Sequence, residues 1–310
     1  MKKVLLVFAL FLCASMTSFA QQTESVDKGG TAMGFVAVNP DPASAAMGLT
    51  GFSSASSGAW ASFGNIAGAS MSGQKFSAAV SYLLWVPDEQ SGIYAGTSVK
   101  LGRKIVCSLG FGRQAGEPYE EFNAAGGSMG EFSPNDMRIN AGLSCRIAES
   151  ISAGAVLHYL SSSIATDATM NAVCADVSAV WARFPFSAAV GVRNIGTPVK
   201  DSRGNSFHLP QCATLAGGYE LTFGEDSAVH ANLDADYYLS EGVSVGVGAE
   251  YAFRDMLFAR AGARLGNDVI PTFASVGAGL HIAGISLNAT YLLASDTIGG
   301  SFLAGLSYAF

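Results

Sequence analysis

The stretch Gly300–Phe310, GSFLAGLSYAF, alternates between large apolar and mostly small residues along its whole length. Because successive side chains of a strand point to opposite faces, this pattern predicts a β-strand. Its apolar face consists of Phe302, Ala304, Leu306, Tyr308 and Phe310. Aromatic residues such as Tyr308 and Phe310 at the end of the last strand are typical of a transmembrane β-barrel, in which the last strand pairs with the first. The closing strand of a soluble β-sandwich is an alternative that this stretch alone leaves open.

Residues 1–20 have the three parts of a secretory signal peptide. Lys2 and Lys3 supply positive charge, Val4–Cys13 forms an apolar centre, and Ser18–Ala20 provides small residues before a cleavage site. The apolar centre is too short to span a membrane as a helix. We therefore expect residues 1–20 to be a signal peptide that is removed on export.

The composition is more apolar than that of a soluble domain. Hydrophobic residues make up 49% of the chain, charged residues make up 13%, and the mean hydropathy is +0.32. A soluble domain carries about 25% charged residues. The longest apolar stretch after the signal peptide, Val269–Ser295, is interrupted by Pro271, several glycines and polar residues, so it does not predict a spanning helix. Since only helices and closed barrels satisfy every backbone group in lipid, the composition favours a transmembrane β-barrel.

Strand-like segments fill the chain from residue 76 onward. In Val229–Tyr238, apolar residues alternate with His230, Asn232, Asp234 and Asp236. Most segments approach the ~9–11 residues that a tilted spanning strand requires. Fourteen strands are predicted, over residues 76–85, 92–101, 105–113, 136–146, 151–161, 172–182, 186–195, 211–221, 228–238, 242–251, 256–265, 272–282, 285–293 and 300–310. The predicted fold is all-β: residues 76–310 form a 14-stranded antiparallel transmembrane β-barrel with a polar lumen.

The connections between the predicted strands alternate in length. The longest, at 114–135, 162–171 and 196–210, all fall at one end of the barrel, whereas the turns at the other end are short. Outer-membrane barrels have short periplasmic turns and longer external loops. We therefore predict a location in the lipid of a Gram-negative outer membrane, with both barrel ends periplasmic.

Residues 21–75 differ from the rest of the chain because they are rich in Ala, Ser, Gly and Met and show no sustained alternation. Asp41 followed by Pro42 predicts the start of a short helix over residues 43–47, which Gly48 would end. A second helix is predicted over residues 57–63, ended by Gly64 and Asn65. A segment this apolar would not remain free in the periplasm, so we predict a short, partly helical N-terminal plug inside the barrel.

Three segments resemble the PorV/PorQ family of Bacteroidetes outer-membrane proteins, relatives of the FadL-type long-chain fatty-acid transporters. Asp41–Gly48 is similar to the family's DxRSxxMG segment, and Trp60–Gly68 is similar to its W-NPAG segment. Val192–Val199, followed by Leu209 and Pro210, resembles its NxGxPV…LP connection. The resemblance implies that the plug motif includes Asp41, Met47, Gly48, Trp60, Asn65, Ala67 and Gly68. The chain departs from the family at Ile66, where Pro is usual, and at Ala43, where Arg is common.

Two functions follow as expectations from this resemblance. The first is an accessory role in type IX protein secretion, with a protein partner bound at the external loops. The loop at 114–135 fits this role, since it combines Glu117, Glu120 and Glu121 with Tyr119 and Phe122. The second is a FadL-like channel for small hydrophobic molecules.

The predicted inward faces carry charges of both signs. The inward basic residues are Arg138, Arg146, Arg193, Arg260 and Arg264, and the inward acids are Asp176, Glu220, Asp234, Asp236 and Glu250. Five arginines against five acids, with the inward Lys100 in addition, favour ion pairing within the lumen over an ion-selective ring. A calcium site at Asp234 and Asp236, beside His230, is a less favoured alternative.

Other functional classes find little support in the sequence. The net charge of -7 argues against nucleic acid as a partner. The four histidines show no spacing that predicts a nucleophile and base, so neither a catalytic site nor a cofactor is predicted. Nor do His and Cys spacings predict a metal centre. Parity places Cys107 and Cys145 toward lipid and Cys174 and Cys212 toward the lumen, and unpaired cysteines are favoured over a disulfide.

Overall fold

The computed structural model describes residues 31–54, 58–85, 90–123, 125–200, 204–294 and 300–310. Within these ranges, fourteen antiparallel strands close into a barrel. They are β1 (Phe76–Trp85), β2 (Gln90–Leu101), β3 (Ile105–Ala115), β4 (Asn135–Ala148), β5 (Ile151–Ala165), β6 (Ala168–Arg183), β7 (Phe186–Gly196), β8 (Cys212–Phe223), β9 (Ser227–Tyr238), β10 (Gly242–Phe253), β11 (Leu257–Leu265), β12 (Phe273–Ile282), β13 (Ile285–Ala294) and β14 (Gly300–Ala309). The predicted fold class is confirmed. The predicted signal peptide lies outside the described residues.

Strand β14 closes the barrel against β1. The two strands are antiparallel, and their register runs from Ser77 opposite Ala309 to Leu84 opposite Phe302. Beyond the strand, the Phe310 N–H donates to the carbonyl oxygen of Phe76 at 3.0 Å. Because a closed seam leaves no unpaired strand edge, the backbone groups of the sheet are satisfied without water. The pairing of the last strand with the first, predicted from Gly300–Phe310, is confirmed.

The outward face of the barrel is apolar. Leu233 is 52% exposed, Leu215 is 66% exposed and Leu265 is 70% exposed. On the same strands the alternate side chains are buried, with Asp234 and Arg264 each only 2% exposed. Exposed apolar surface of this extent marks an interaction surface, and in a closed barrel it is the band that faces lipid. The predicted inward and outward parity is therefore confirmed for these strands.

The cysteines also follow the predicted parity. Cys145 is exposed and Cys107 partly exposed, whereas Cys174 and Cys212 are buried. All four are free thiols in the described part of the chain.

One predicted loop is wrong. Instead of a loop over residues 162–171, β5 continues to Ala165 and β6 begins at Ala168. The polar residues that suggested a loop pair across the two strands, with Ser163 Oγ 2.9 Å from Thr169 Oγ1. The connections after β3 and β7 are long, and each contains a short hairpin. These hairpins pair Tyr119–Phe122 with Ser128–Phe132 and Val199–Lys200 with Ser206–Phe207.

Residues 31–54 and 58–75, called the N-terminal segment below, contain four short helical turns. These are the 3-10 turns Gly34–Ala37 and Gly58–Trp60 and the α-helices α1 (Pro42–Ala46) and α2 (Ile66–Ala69). None of the described helices is long and apolar enough to cross a membrane. The segment contacts inward-facing residues of the strands, with α1 against β11 to β14 and α2 against β4 to β6.

The start of α1 agrees with the sequence prediction, but the predicted second helix is wrong. The Asp41 carboxylate caps α1 by accepting from the Ala43 N–H at 3.0 Å. Among the described residues of the predicted second helix, only Gly58–Trp60 is helical, as a 3-10 turn. Asn65 begins α2 rather than ending a helix, because its side chain accepts from the Ala67 N–H at 3.0 Å. An Asn in this role is an N-cap, which sequence alone does not distinguish from a terminating Asn.

Candidate functional site in the lumen

The chain that follows α1 passes so close to the barrel wall that only glycine fits beneath it. A Cβ atom placed on Gly248 or Gly262 would overlap the main chain of Met47, and one on Gly246 would lie 2.7 Å from the carbonyl oxygen of Gly48. Main-chain atoms cannot move aside as a flexible side chain can, so larger residues would displace the segment. These inward glycines therefore form a flat seat for the N-terminal segment.

Arg264 holds this part of the segment on its seat. Its Nε donates to the Gly48 carbonyl oxygen at 2.9 Å, and its Nη2 donates to that of Leu49 at 3.1 Å. The remaining nitrogen, Nη1, lies 2.9 Å from Asp236 Oδ2 and 2.9 Å from Ser244 Oγ. One buried guanidinium thus connects two carbonyls of the segment to strands β9 and β10.

Asp236 is the common partner of two arginines. Its Oδ1 accepts from Arg193 at 2.8 Å and from the Thr214 hydroxyl at 2.6 Å, while Oδ2 accepts from Arg264. The neighbouring inward acid, Asp234, accepts from the Phe52 N–H at 2.9 Å and so also contacts the segment. These contacts favour ion pairing over the calcium alternative, since Asp236 is already held by two cations.

A second ion-paired group lies around Glu250. Arg260 Nε donates to Glu250 Oε2 at 2.5 Å, and Arg260 Nη1 donates to Asn288 Oδ1 at 2.8 Å. His230 Nδ1 lies 2.8 Å from Glu250 Oε1, and its Nε2 is 3.7 Å from Glu220 Oε2. The predicted lumen charges therefore form local groups rather than one continuous network.

Two of the predicted basic residues have no acidic partner among the described residues. Arg138 donates to the Val36 carbonyl oxygen at 3.0 Å, and its guanidinium lies 4.3 Å from the centre of the Phe63 ring. Arg146 donates to the Glu149 carbonyl oxygen at 2.6 Å, at the short turn between β4 and β5. Parity predicts the face on which a side chain lies but not its height in the barrel, which decides the partner. Among the described residues, ion pairing therefore does not extend to all ten of the predicted inward charges.

The predicted motif residues between Trp60 and Gly68 of the N-terminal segment are buried, and some of them are hydrogen-bonded to the wall. Asn65 Nδ2 donates to the Phe52 carbonyl oxygen at 2.5 Å, and its Oδ1 accepts from the Ser178 hydroxyl at 2.5 Å. The carbonyl oxygen of Ala67 accepts from Ser152 Oγ at 2.6 Å. Trp60 packs edge-on against Phe63, with ring centres 5.7 Å apart, and Gly68 is buried within α2.

Ile66, which stands where the similar family has Pro, is the first residue of α2. Proline is well tolerated at this position, because the N–H that it lacks has no partner within the helix. The Ile66 side chain is 1% exposed and approaches Gly142 and Gly154 on β4 and β5. The substitution is thus compatible with the same local backbone.

A cavity of about 1100 Å³ runs through the lumen beside the N-terminal segment. At the end with the short turns it is lined by Asp226, Arg254 and Phe310, and further in by His230, Glu250, Arg260 and Asn288. At its other limit it reaches Leu49 and Ile270. The cavity therefore spans much of the barrel length, and its walls carry both polar and apolar side chains.

Apolar residues occupy the lumen where the cavity stops. Tyr238, Ile270 and Phe273 are buried in one cluster, against which Leu49 of the N-terminal segment packs. These four residues are called the apolar closure below. A neighbouring cluster joins Met33 and Val36 of the segment to Leu160, Cys174, Val199 and Leu209. The end of the barrel with the long loops is therefore filled by apolar side chains.

Comparisons with known proteins identify the fold. No protein-family model matches the sequence, and no curated protein matches it. Among solved structures, the Ralstonia pickettii toluene transporter TbuX is similar with a TM-score of 0.56 and 12% identity, covering 87% of this chain and 98% of that one. The CymD monoaromatic hydrocarbon channel is similar with a TM-score of 0.59 and 11% identity, covering 88% and 97%. A Pseudomonas aeruginosa FadL homologue is similar with a TM-score of 0.53 and 12% identity, covering 87% and 95%.

At these identities the likeness concerns the fold. The chain shares with these proteins the fold of a closed barrel, in which its described residues form fourteen antiparallel strands. The solved structures named here are described as transporters or channels, or as a FadL homologue.

Proposed function

We propose that the protein is an outer-membrane channel for small hydrophobic molecules, in which the N-terminal segment acts as a plug. The observation that carries this proposal is the cavity of about 1100 Å³ that runs beside the segment and stops at the apolar closure. The described functions of the similar structures, a toluene transporter and a monoaromatic hydrocarbon channel, support it further.

The apolar closure explains how such a channel would select. Where the cavity ends, Leu49 packs against the buried cluster that contains Ile270 and aromatic rings. A constriction lined by apolar side chains excludes water and ions because they would have to shed their hydration shell. A small apolar molecule loses nothing by entering such a lining and gains by leaving water. The closure would therefore favour hydrophobic solutes.

The cavity walls fit the release side of this route. Charges in the wall are locally paired, as in the Arg260–Glu250 and Arg193–Asp236 contacts at 2.5 and 2.8 Å. Since opposite charges neutralise each other, this wall does not form a ring of one sign that would bind a passing ion. In this proposal the short turns and both barrel ends face the periplasm, and the long loops face outward.

The proposal is tested by uptake of radiolabelled toluene into proteoliposomes. Protein-containing vesicles should take up toluene faster than empty vesicles, and Ile270→Ala should increase the rate because it removes part of the closure. His281→Ala is the matched control, since His281 lines the cavity far from the closure. Sucrose should remain excluded by the unmodified protein. Equal toluene uptake with and without protein would contradict the proposal.

A second candidate function is supported by one observation, the hairpin after β3. Tyr119, Phe122 and Met129 on this hairpin are 41%, 59% and 51% exposed. Between residues 115 and 135 the chain carries four Glu and neither Lys nor Arg. We propose as this second function that the external loops bind a protein partner, as the resemblance to PorV/PorQ secretion accessories implies.

The two functions are separated by deleting Glu117–Gly130. If the hairpin binds a partner, a protein that co-purifies with the intact barrel should be lost, while barrel assembly and toluene uptake remain. If no co-purifying protein depends on the hairpin, the secretion proposal fails and the channel proposal is unaffected.

A further inference from the structure

Positively charged residues gather on one side of the barrel end that carries the short turns. The turn between β2 and β3 contains Arg103 and Lys104, and Lys75 immediately precedes β1. All three side chains are exposed. Lys100, near the end of β2, and Arg146, near the end of β4, are partly buried beside them. These five residues are called the basic patch below.

Main-chain hydrogen bonds place the five residues side by side. The Lys100 N–H donates to the Lys75 carbonyl oxygen at 2.9 Å, and the Arg146 N–H donates to that of Lys104 at 2.8 Å. The short turn that contains Arg103 joins the two pairs. Because neighbouring strands lie about 4.8 Å apart, the patch covers the ends of four adjacent strands over about 15 Å.

The positive charge of the basic patch is not neutralised by nearby acids. Within the described residues, none of the five forms an ion pair. Lys100 Nζ donates to the Ser72 carbonyl oxygen at 2.8 Å, and Arg146 Nη2 donates to the main-chain carbonyl oxygen of Glu149 at 2.6 Å. Of residues 72–78, 99–107 and 143–152, which form this part of the barrel end, only Glu149 is acidic. The patch therefore carries a net positive charge.

The opposite side of the same barrel end is acidic. The turn between β8 and β9 carries Glu225 and Asp226, and the turn between β10 and β11 carries Asp255 beside Arg254. All four residues line the cavity, which therefore reaches the barrel end on this side. No residue of the basic patch lines the cavity in the described part of the chain. The patch is thus separate from the route through the lumen.

Exposed aliphatic residues flank the basic patch on the outward face of the barrel. Leu101 at the end of β2, Ile105 at the start of β3 and Ile147 near the end of β4 are 53%, 43% and 43% exposed. Long basic side chains at the edge of such an apolar band extend their charged ends to the level of the lipid headgroups. A soluble anionic partner would not require apolar residues at this position, so the combination favours a lipid.

We propose that the basic patch binds the phosphate of an anionic phospholipid whose acyl chains lie against the outward face of β2 to β4. Arg103 and Lys104 contact the headgroup, because they occupy the turn beside the apolar band. The other three basic residues add to the positive potential that attracts it. In the orientation proposed above, this lipid belongs to the periplasmic leaflet. The inference concerns the lipid boundary and is independent of what passes through the lumen.

The inference is tested by native mass spectrometry of the full barrel in detergent, with phosphatidylglycerol or phosphatidylcholine of the same acyl chains added. A basic side chain near an anionic lipid contributes a factor of about five in affinity, so three exposed ones should favour phosphatidylglycerol about a hundredfold. Lys75→Gln combined with Arg103→Gln and Lys104→Gln should remove most of this preference. Equal affinity of the unmodified protein for the two lipids would overturn the proposal.

The matched control removes three exposed positive charges elsewhere, as Arg183→Gln combined with Lys200→Gln and Arg254→Gln. This variant should keep the preference, and both triple variants should keep the heat-modifiable band of the folded barrel. An equal loss of preference in the two would assign it to net charge and overturn the site.

A soluble competitor separates a lipid from a free phosphate. Glycerol 3-phosphate carries the phosphate without acyl chains, so a tenfold molar excess over phosphatidylglycerol should not displace the lipid. Displacement would show that the patch binds a soluble phosphate, and it would overturn the lipid assignment.

Discussion

Replacing Arg264 by Met should release the N-terminal segment while leaving the barrel intact. Met keeps much of the length and apolar volume of the side chain but removes the guanidinium, which donates to the Gly48 and Leu49 carbonyl oxygens at 2.9 and 3.1 Å. Each buried carbonyl left without a donor costs about 1–3 kcal/mol, so the contact loses about 2–6 kcal/mol. Asp236 retains Arg193 and Thr214 and is not left unpaired.

Limited proteolysis reports release of the N-terminal segment, and the heat-modifiable band on gel electrophoresis reports whether the barrel is folded. Cleavage within residues 40–54 should increase in Arg264→Met, whereas the heat-modifiable band of the folded barrel should persist. The matched control is Arg254→Met, which removes an exposed ion pair with Asp226 at 3.0 Å. An exposed pair contributes about 0–1 kcal/mol, so the control should change neither measurement appreciably.

Equal protease sensitivity in Arg264→Met and Arg254→Met would refute this reasoning. It would mean that the segment is held by its glycine seat and apolar contacts alone. Loss of the folded barrel in Arg264→Met but not in Arg254→Met would instead assign Arg264 to the stability of the wall.

Three further predictions follow from the wall, the seat and the seam. Gly262→Ala should displace the N-terminal segment and lower the free energy of unfolding in urea by about 1–3 kcal/mol. Gly217→Ala, with nothing within 4 Å of the added Cβ, should be nearly neutral. Equal losses in the two variants would contradict the glycine seat. Leu287→Arg, on the lipid face, should lower the free energy of unfolding by about 2–4 kcal/mol, and Ser286→Arg, in the cavity, should lower it much less. Similar losses in the two variants would argue against the inward and outward parity. Deletion of Tyr308–Phe310 removes part of the seam and should abolish accumulation in purified outer membrane, measured by immunoblot; normal amounts would show that the seam closes without these residues.

Much of the fold was accessible from sequence because the lumen and the lipid impose opposite demands on alternate residues. In Val229–Tyr238 this alternation is strict, and the structure places Asp234 and Asp236 inward as predicted. The alternation does not extend through residues 162–171, where the polar Ser163 and Thr169 pair with each other across extended strands. Polar residues beyond the membrane band look the same in a strand as in a loop, so strand length was underestimated there.

Less of the candidate site could be predicted. Parity placed His158 and Arg138 inward, but their partners depend on strand register and on the path of the N-terminal segment. Arg138 contacts the Val36 carbonyl and the Phe63 ring rather than an acid. Likewise, Asn140 finds its partner only because the N-terminal segment brings the Ser62 carbonyl oxygen within 3.0 Å. Contacts of this kind join residues that are far apart in the sequence, so no local sequence pattern predicts them.

The central claim, that the N-terminal segment controls passage through the lumen, is tested most directly by a reversible cross-link. Ala46 on α1 faces Gly277 on β12, and a Cβ on Gly277 would lie 2.5 Å from that of Ala46. A shift of about 1 Å brings the two to disulfide geometry, so Ala46→Cys with Gly277→Cys, in a chain whose native cysteines are replaced by Ala, can pin α1 to the wall. Toluene uptake by proteoliposomes should fall to the rate of empty vesicles when the pair is oxidised and should recover when it is reduced. Equal uptake in the two states would contradict the claim.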